Sequence, residues 1–211
     1  MKSQDPALEL LQPIVTLFTN GKFQQALSDS NLMLEKFPNS VILCNIVGIS
    51  NAGLMQFEDA INSYKKAIKI NPDYAEAYYN MGIAQKDKGD LEEAIESYKQ
   101  ALKIKPNYVE AYYNMGNILK DKGDLEEAIE SYKQALKIKP DHAGVYNNIG
   151  IALEYNGDLQ GAVDSYKKAI EINSDFAEAK VNLISLLSGY IPQKDNPNLI
   201  EKVNKEIRKI D

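Results

Sequence analysis

AEAYYNMGIAQKDKGDLEEAIESYKQALKIKPNY, residues 75–108, is followed directly by a near copy of itself, VEAYYNMGNILKDKGDLEEAIESYKQALKIKPDH, at residues 109–142. Both copies are 34 residues long, and more divergent copies lie on either side of them. Self-similarity at a period of this size is typical of structural units that stack on one another. The units share in-phase residues: Pro38, Pro72, Pro106 and Pro140; Gly48, Gly82, Gly116 and Gly150; Ala26, Ala60, Ala94, Ala128 and Ala162; Tyr64, Tyr98, Tyr132 and Tyr166.

Each unit is predicted to contain two helices. Apolar residues within 76–88 and within 91–104 recur at steps of three and four residues, which places them along one face of a helix. Gly89 can adopt the left-handed conformation that ends the first helix, and Pro106 cannot continue the second. Small residues such as Gly82 are expected to let the two helices approach closely, so replacing Gly116 by Leu would overpack that contact.

The starts of the helices carry a second signal. An acidic residue or asparagine followed three residues later by glutamate has the spacing of a capping box, in which each side chain accepts a hydrogen bond from an unpaired backbone N–H. Boxes are predicted for Asp90 with Glu93, Asp124 with Glu127, Asp73 with Glu76, Asn107 with Glu110, and Asp175 with Glu178.

The order of conserved residue types within a unit resembles the tetratricopeptide repeat, which has a large residue, then Leu-Gly, then Ala, an aromatic residue and a closing Pro. In the third unit these roles fall on Tyr78, Met81-Gly82, Ala94, Tyr98 and Pro106. The resemblance covers residues 7–176. Departures from the pattern are Pro13 and Ile14 in the first unit, Met55 where the turn between helices usually has Gly, and Ser174 in place of the last Pro.

This resemblance implies an all-α fold, a right-handed α-solenoid of tandem helix–turn–helix repeats, in a single domain over residues 1–211. The expected repeats are 7–40, 41–74, 75–108, 109–142 and 143–176. A C-terminal capping helix pair is expected at 177–211, because 177–190 reads as another first helix and Asn196-Pro197 has the composition of a helix start.

The resemblance also implies a binding surface, since the first helices of such repeats line the inner face of the solenoid. The sixth position of the repeat is Asn80, Asn114, Asn148 and Asn182, and several peptide-binding relatives use asparagine there to grip the main chain of an extended partner. A side-chain amide offers one acceptor and two donors, which match a peptide unit. Specificity would come from neighbouring residues: Tyr79, Tyr113, Asn147, Ile83, Asn117 and Ile151. The alternative is that these asparagines are only polar residues on a solvated helix surface.

The first helix of the second unit, VILCNIVGISNAG at 41–53, is apolar almost all round, which indicates burial on more than one side. Ile42, Ile46 and Ile49 fall on inward positions there. We expect something apolar to cover this part of the groove: a partner segment, a second copy of the chain in a homo-oligomer, or a region of a longer protein.

Composition excludes other classes of function. The net charge is -6 with no basic stripe, which argues against a nucleic-acid partner. No apolar run is long enough for a membrane span, Cys44 has no partner for an intrachain disulfide, and a cytoplasmic location is expected. With one histidine, His142, and no phosphate loop or nucleophile motif, the chain is not expected to be an enzyme or to hold a metal or cofactor.

The predicted function is therefore that of a protein–protein interaction scaffold that binds an extended peptide or partner protein in its concave groove. The alternative is an N-terminal recruitment or oligomerisation arm of a larger enzyme, because such arrays resemble the arms of O-linked N-acetylglucosamine transferases. A clamp for a free C-terminal carboxylate is not predicted, since the second repeat positions are Ile42, Glu76, Glu110 and Gly144 and lack cations.

Overall fold

A computed structural model of the protein describes residues 5–190, and this part of the chain folds as an all-α helical repeat with no strand. No helix in this range is both long and apolar enough to cross a bilayer. The helices are α1 Leu8–Thr19, α2 Phe23–Lys36, α3 Val41–Gly53, α4 Phe57–Ile70, α5 Ala75–Lys88, α6 Leu91–Ile104, α7 Val109–Lys122, α8 Leu125–Ile138, α9 Ala143–Tyr155, α10 Leu159–Ile172 and α11 Ala177–Tyr190.

The chain forms two compact units, of which the first ends at Ala111 and the second begins at Tyr112. In the first unit α3 packs against α2 and α4, and α4 packs against α5. In the second unit α9 packs against α8 and α10, and α10 packs against α11. The first helix of the expected C-terminal cap is α11, whereas the predicted final helix lies outside the described residues.

Glycine allows the two helices of one repeat to touch. A Cβ built on Gly116 would lie 2.6 Å from Cε1 of Tyr132, and one built on Gly82 would lie 2.7 Å from Cε1 of Tyr98. Gly48 and Gly150 face the corresponding tyrosines in the same way. These four tyrosine side chains are at most 2% exposed, so the ring fills the space that any other residue would occupy. The predicted close approach is confirmed.

The turns between paired helices share one position with a positive φ angle. Gly21, Gly89, Gly123 and Gly157 have φ between 70° and 98°, the left-handed region that glycine adopts at little cost. Met55 occupies the same position in the second repeat with φ of 61°, and its side chain is 76% exposed. The departure noticed in the sequence therefore places a side chain in a backbone conformation that disfavours it.

The predicted capping boxes of the second helices are wrong. Asp90 and Asp124 are the residues that precede α6 and α8, but neither side chain makes a capping hydrogen bond. The Asp90 carboxylate instead forms an ion pair with Lys88 Nζ at 2.9 Å. For α5 the box is one residue out of register, because the helix begins at Ala75 and Tyr74, not Asp73, precedes it.

Side-chain caps occur instead where the repeats diverge. Ser40 Oγ accepts from the backbone N–H of Leu43 at 3.1 Å, and Asp158 Oδ1 accepts from that of Gly161 at 2.9 Å. His142 Nδ1 accepts from Val145 N–H at 3.3 Å, which gives the single histidine a structural role at the start of α9.

Helix α3 receives a second cap from the N-terminal segment. Asp5 Oδ1 accepts from Ser40 Oγ at 2.6 Å and from the backbone N–H of Ile42 at 3.1 Å. A carboxylate at a helix N-terminus also interacts favourably with the helix dipole. Asp5 therefore ties the segment before α1 to the start of α3, a long-range contact that no local pattern predicts.

The prediction that α3 is buried on more than one side is confirmed, since nine of its residues are buried. Leu11, Ile14 and Ala26 of the first repeat form one core cluster with Leu43 and Ile46. The chain itself thus covers much of the apolar surface of α3.

Candidate functional site

The sixth-position asparagines are half-buried. Asn80, Asn148 and Asn182 each donate a hydrogen bond to the preceding repeat. Asn80 Nδ2 donates to Asn45 Oδ1 at 3.0 Å in the first unit. Asn182 Nδ2 makes the same bond to Asn147 Oδ1, also at 3.0 Å, in the second unit. The two pairs occupy the same repeat positions, so this bond is a recurring feature of the array.

Asn148 is oriented by a different set of acceptors. Its Nδ2 donates to Asn117 Oδ1 at 2.8 Å and lies 3.4 Å from the Tyr113 hydroxyl. The Tyr132 hydroxyl donates to the same Asn117 oxygen at 2.8 Å. Asn117 therefore connects a buried core tyrosine with the surface amide of the next repeat, a role that its expected place among specificity residues did not suggest.

Asn147 was expected to contact a partner, and the structure places it inside the chain. It is 1% exposed, and its Nδ2 donates to Glu178 Oε1 at 3.1 Å while its Oδ1 accepts from Asn182. Both ends of the amide are used, so Asn147 positions Asn182 and is not accessible to a ligand. Asn45 has the equivalent role in the first unit. The sequence signal for this role is that Asn45 and Asn147 occupy the same repeat position.

The fifth-position tyrosines form small aromatic clusters. The ring of Tyr79 lies 4.6 Å from that of Tyr108, and Lys105 Nζ sits 4.2 Å from the Tyr108 ring centroid. Burial raises the pKa of Tyr108, with the neighbouring Tyr79 as a further cause. In the second unit the Tyr113 ring stacks on His142 with 5.5 Å between centroids. Both tyrosines are half-buried, so each presents part of its ring.

The aliphatic candidates divide into two groups. Ile46 is 8% exposed and belongs to the core, while Ile42 and Ile49 pack against core clusters and stay partly exposed. Ile151 packs against the cluster that contains Tyr166 and Leu183, and Ile83 is half-buried. Ile46 is thus removed from the accessible surface by the first repeat.

Two glutamates that were placed in predicted capping boxes make side-chain contacts with other residues. Glu178 accepts from Asn147, as described above, and Glu76 accepts from Lys105 Nζ at 3.3 Å. Within residues 5–190 there is no group of three or more histidine, cysteine or acidic side chains placed to hold a metal ion.

Comparison with known families gives a direct match. A model of the TPR repeat matches residues 56–89, 86–123 and 116–157, and a model of the tetratricopeptide repeat matches residues 143–176. Together the matches span more than half of the chain. The chain belongs to the tetratricopeptide repeat family.

Curated proteins and solved structures also resemble parts of the chain. A probable UDP-N-acetylglucosamine–peptide N-acetylglucosaminyltransferase SEC from Arabidopsis thaliana is 34% identical over 35% of this chain and 8% of its own length. A peroxisomal targeting signal receptor from Candida glabrata is 31% identical over 42% of this chain and 15% of its own length. The chain therefore spans only a small part of these curated relatives. A crystal structure of MamA is 31% identical with a TM-score of 0.71, and the match covers 77% of this chain and 95% of that one.

Proposed function

We propose that the protein is an interaction scaffold that binds an extended peptide along the first helices of its second unit, with Asn114, Asn148 and Asn182 gripping the peptide main chain. The observation that carries the proposal is that the Asn148 and Asn182 amides are held in place by the preceding repeat. An amide fixed before the ligand arrives loses little conformational freedom when the ligand binds.

The amides keep capacity for a ligand. Asn182 uses one N–H for Asn147, and its second N–H and its carbonyl oxygen make no hydrogen bond within residues 5–190. Asn80 in the first unit is in the same state, with one N–H donated to Asn45. One donor and one acceptor are what is needed to pair with the C=O and N–H of a peptide.

The spacing of the amides also fits an extended chain. Asn148 and Asn182 lie on the successive first helices α9 and α11, which contact each other, and packed helices are about 8–10 Å apart. An extended peptide advances about 3.3 Å per residue. Each amide would therefore meet about every third peptide unit, and the side chains between would contact Tyr113, Asn117 and Ile151.

The test is capture of partner proteins by the wild type and by an Asn114/Asn148/Asn182→Ala variant. A matched control, Asn20/Asn107/Asn156→Ala, removes three exposed asparagines outside the row. Helicity and thermal unfolding are measured for all three proteins, since Asn182→Ala leaves Asn147 without one of its bonds. Loss of captured proteins in the folded row variant alone would support the proposal. Equal capture by both variants would refute it.

The second candidate function is a recruitment arm of a larger protein. It is favoured by the match to a peptide N-acetylglucosaminyltransferase, of which the matched segment forms only 8%. Reading the gene downstream of the codon for Asp211 tests this alternative, because a continuing reading frame that encodes a transferase domain would favour it and an immediate stop codon would remove it.

A further inference from the structure

A groove in the first unit lies on helices that the proposed peptide surface does not use. It has a volume of about 610 Å³ and runs between α2 and α4, with α3 as its floor. Asn31 lines it from α2, Val47 and Asn51 line it from α3, and Asp59, Asn62 and Lys66 line it from α4. The first unit contains all of these residues.

Five of the nine side chains that line the groove are shorter than their counterparts in the next repeat. One period further along the chain, the same positions hold longer residues: Lys65 for Asn31, Met81 for Val47, Gln85 for Asn51, Glu93 for Asp59 and Glu96 for Asn62. Two lining residues differ in the opposite sense, since Gln56 and Lys66 correspond to the shorter Asp90 and Gln100. The 34-residue period is kept at these positions, while the five shorter side chains leave more space above α3.

The floor of the groove contains an amide that has no protein partner in the part of the chain that the structure describes. Asn51 is 6% exposed, lines the groove, and makes no side-chain hydrogen bond within the described residues. In the next repeat the equivalent Gln85 accepts from Ser97 Oγ at 2.6 Å. Asparagine is one methylene shorter, and Ser63, the counterpart of Ser97, donates to the Asp59 carbonyl oxygen at 2.8 Å instead. Because the Asn51 side chain has no hydrogen bond within residues 5–190, a ligand could pair with its amide without breaking an internal hydrogen bond.

The lining indicates the class of ligand. Four amides, on Asn31, Asn51, Gln56 and Asn62, can pair with peptide C=O and N–H groups. Val47 and Leu27 form an apolar surface that one aliphatic side chain could contact. None of the lining residues is aromatic, so neither a nucleobase nor a sugar ring would find a stacking surface.

The charges set the length of the ligand. Asp59 and Lys66 are seven residues apart on α4, which corresponds to about 10 Å along the helix. Neither forms a salt bridge within the described residues. The two charges of a free amino acid are too close together to reach both groups, whereas three to four residues of extended chain at about 3.3 Å each would span them.

We propose that this groove is a second binding site, for a short extended peptide segment whose central aliphatic side chain sits on Val47 and Leu27. The segment would carry an acidic side chain toward Lys66 and a basic one toward Asp59, and its main chain would pair with Asn51. This site is independent of the asparagine row on the first helices of the second unit.

A phage-displayed library of random heptapeptides, selected on the full chain, provides the probe. Selected peptides are synthesised and titrated against four proteins by calorimetry. These are the wild type, a groove-filled variant Val47→Met/Asn51→Gln/Asn62→Glu built from the residues of the third repeat, a rim variant Asn31→Lys/Asn62→Glu, and the row variant Asn114/Asn148/Asn182→Ala. Both residues of the rim variant are exposed, so this variant keeps the test valid if the filled variant does not fold.

We expect a family of peptides with a central aliphatic residue whose affinity falls about tenfold or more in the filled and rim variants and is unchanged in the row variant. Side-chain amide resonances of Asn51 should shift on binding. Failure of the library to yield any peptide that distinguishes the wild type from the filled or rim variant would overturn the inference. Peptides that lose affinity only in the row variant would overturn it while supporting the proposed function.

Discussion

Replacing Gly116 by alanine tests the contact on which each repeat depends. The added Cβ would lie 2.6, 2.8 and 3.0 Å from the Cε1, Cδ1 and Cζ atoms of the Tyr132 ring. Favourable carbon–carbon contacts are at about 3.5–4.0 Å, so the overlap is close to 1 Å at the nearest atom. Tyr132 is fully buried and its hydroxyl is bonded to Asn117, so the ring cannot move aside.

The magnitude follows from two opposing terms. Overpacking of a close-packed site costs about 1–3 kcal/mol, and overlap with three ring atoms places this case near the upper end. Alanine gains about 1 kcal/mol over glycine in a helix interior. We therefore expect a net loss of about 2 kcal/mol, which lowers Tm by about 4–8 °C for a chain of this size.

The assay is urea and thermal unfolding followed by circular dichroism. Gly189→Ala serves as the control, because that glycine also lies in a helix but no atom comes within 4 Å of its added Cβ. Combining Gly116→Ala with Tyr132→Leu in a double-mutant cycle isolates the ring contact, and the cost of the alanine should shrink when the ring is absent. If Gly116→Ala behaves like Gly189→Ala, the steric argument is refuted.

Three further predictions concern the turn, the tyrosines and the N-terminal tie. Met55→Gly should raise stability by about 1 kcal/mol, because it relieves a left-handed residue whose exposed side chain makes few contacts; an unchanged or lower Tm would contradict this. Burial raises the pKa of Tyr64 and Tyr132, so the folded state favours their neutral phenols. The stability that this preference contributes is complete below the unfolded pKa of about 10 and is lost as the pH rises above that value. Melting temperatures measured from neutral to alkaline pH should therefore fall above about pH 10, and a flat profile would contradict the prediction. Asp5→Ala should cost about 1 kcal/mol by removing the acceptor for Ser40 and the N-terminus of α3, and protection of the Ile42 amide from hydrogen exchange should drop with it.

The fold was predictable from the sequence because the signals that determine it repeat. A Gly such as Gly82 next to a fully buried Tyr98, and a turn residue such as Gly89, recur in phase and reinforce one another across the chain. The capping boxes failed because a spacing rule does not fix which partner the side chain takes: Asp90 and Asp158 have similar ψ angles of 70° and 77°, but Asp90 pairs with Lys88 and only Asp158 caps its helix. Where capping does occur, at Ser40 and Asp158, only the individual structure reveals it.

The candidate site was predictable in position but not in chemistry. Counting repeat positions found Asn80, Asn148 and Asn182, yet it could not show that each amide is bonded to the previous repeat. Such bonds depend on the offset between helices some 35 residues apart in the chain, which sequence periodicity does not encode. The same offset buries Asn147, which counting had placed on the surface.

Comparison of the third and fourth repeats shows how the polar contacts of a repeat can change while its packing is kept. Their first helices are almost identical, but Ile83 and Gln85 of one correspond to Asn117 and Leu119 of the other. The change to Asn117 supplies the acceptor that orients Asn148 in the following repeat. The change to Leu119 removes the acceptor that Gln85 provides for Ser97, and the corresponding Ser131 donates to a backbone carbonyl oxygen instead. The Gly–Tyr contact is kept in both repeats, and in the fourth the change to Asn117 adds a hydrogen bond from the hydroxyl of its tyrosine, so the polar pairing around the contact can change while the contact itself stays the same.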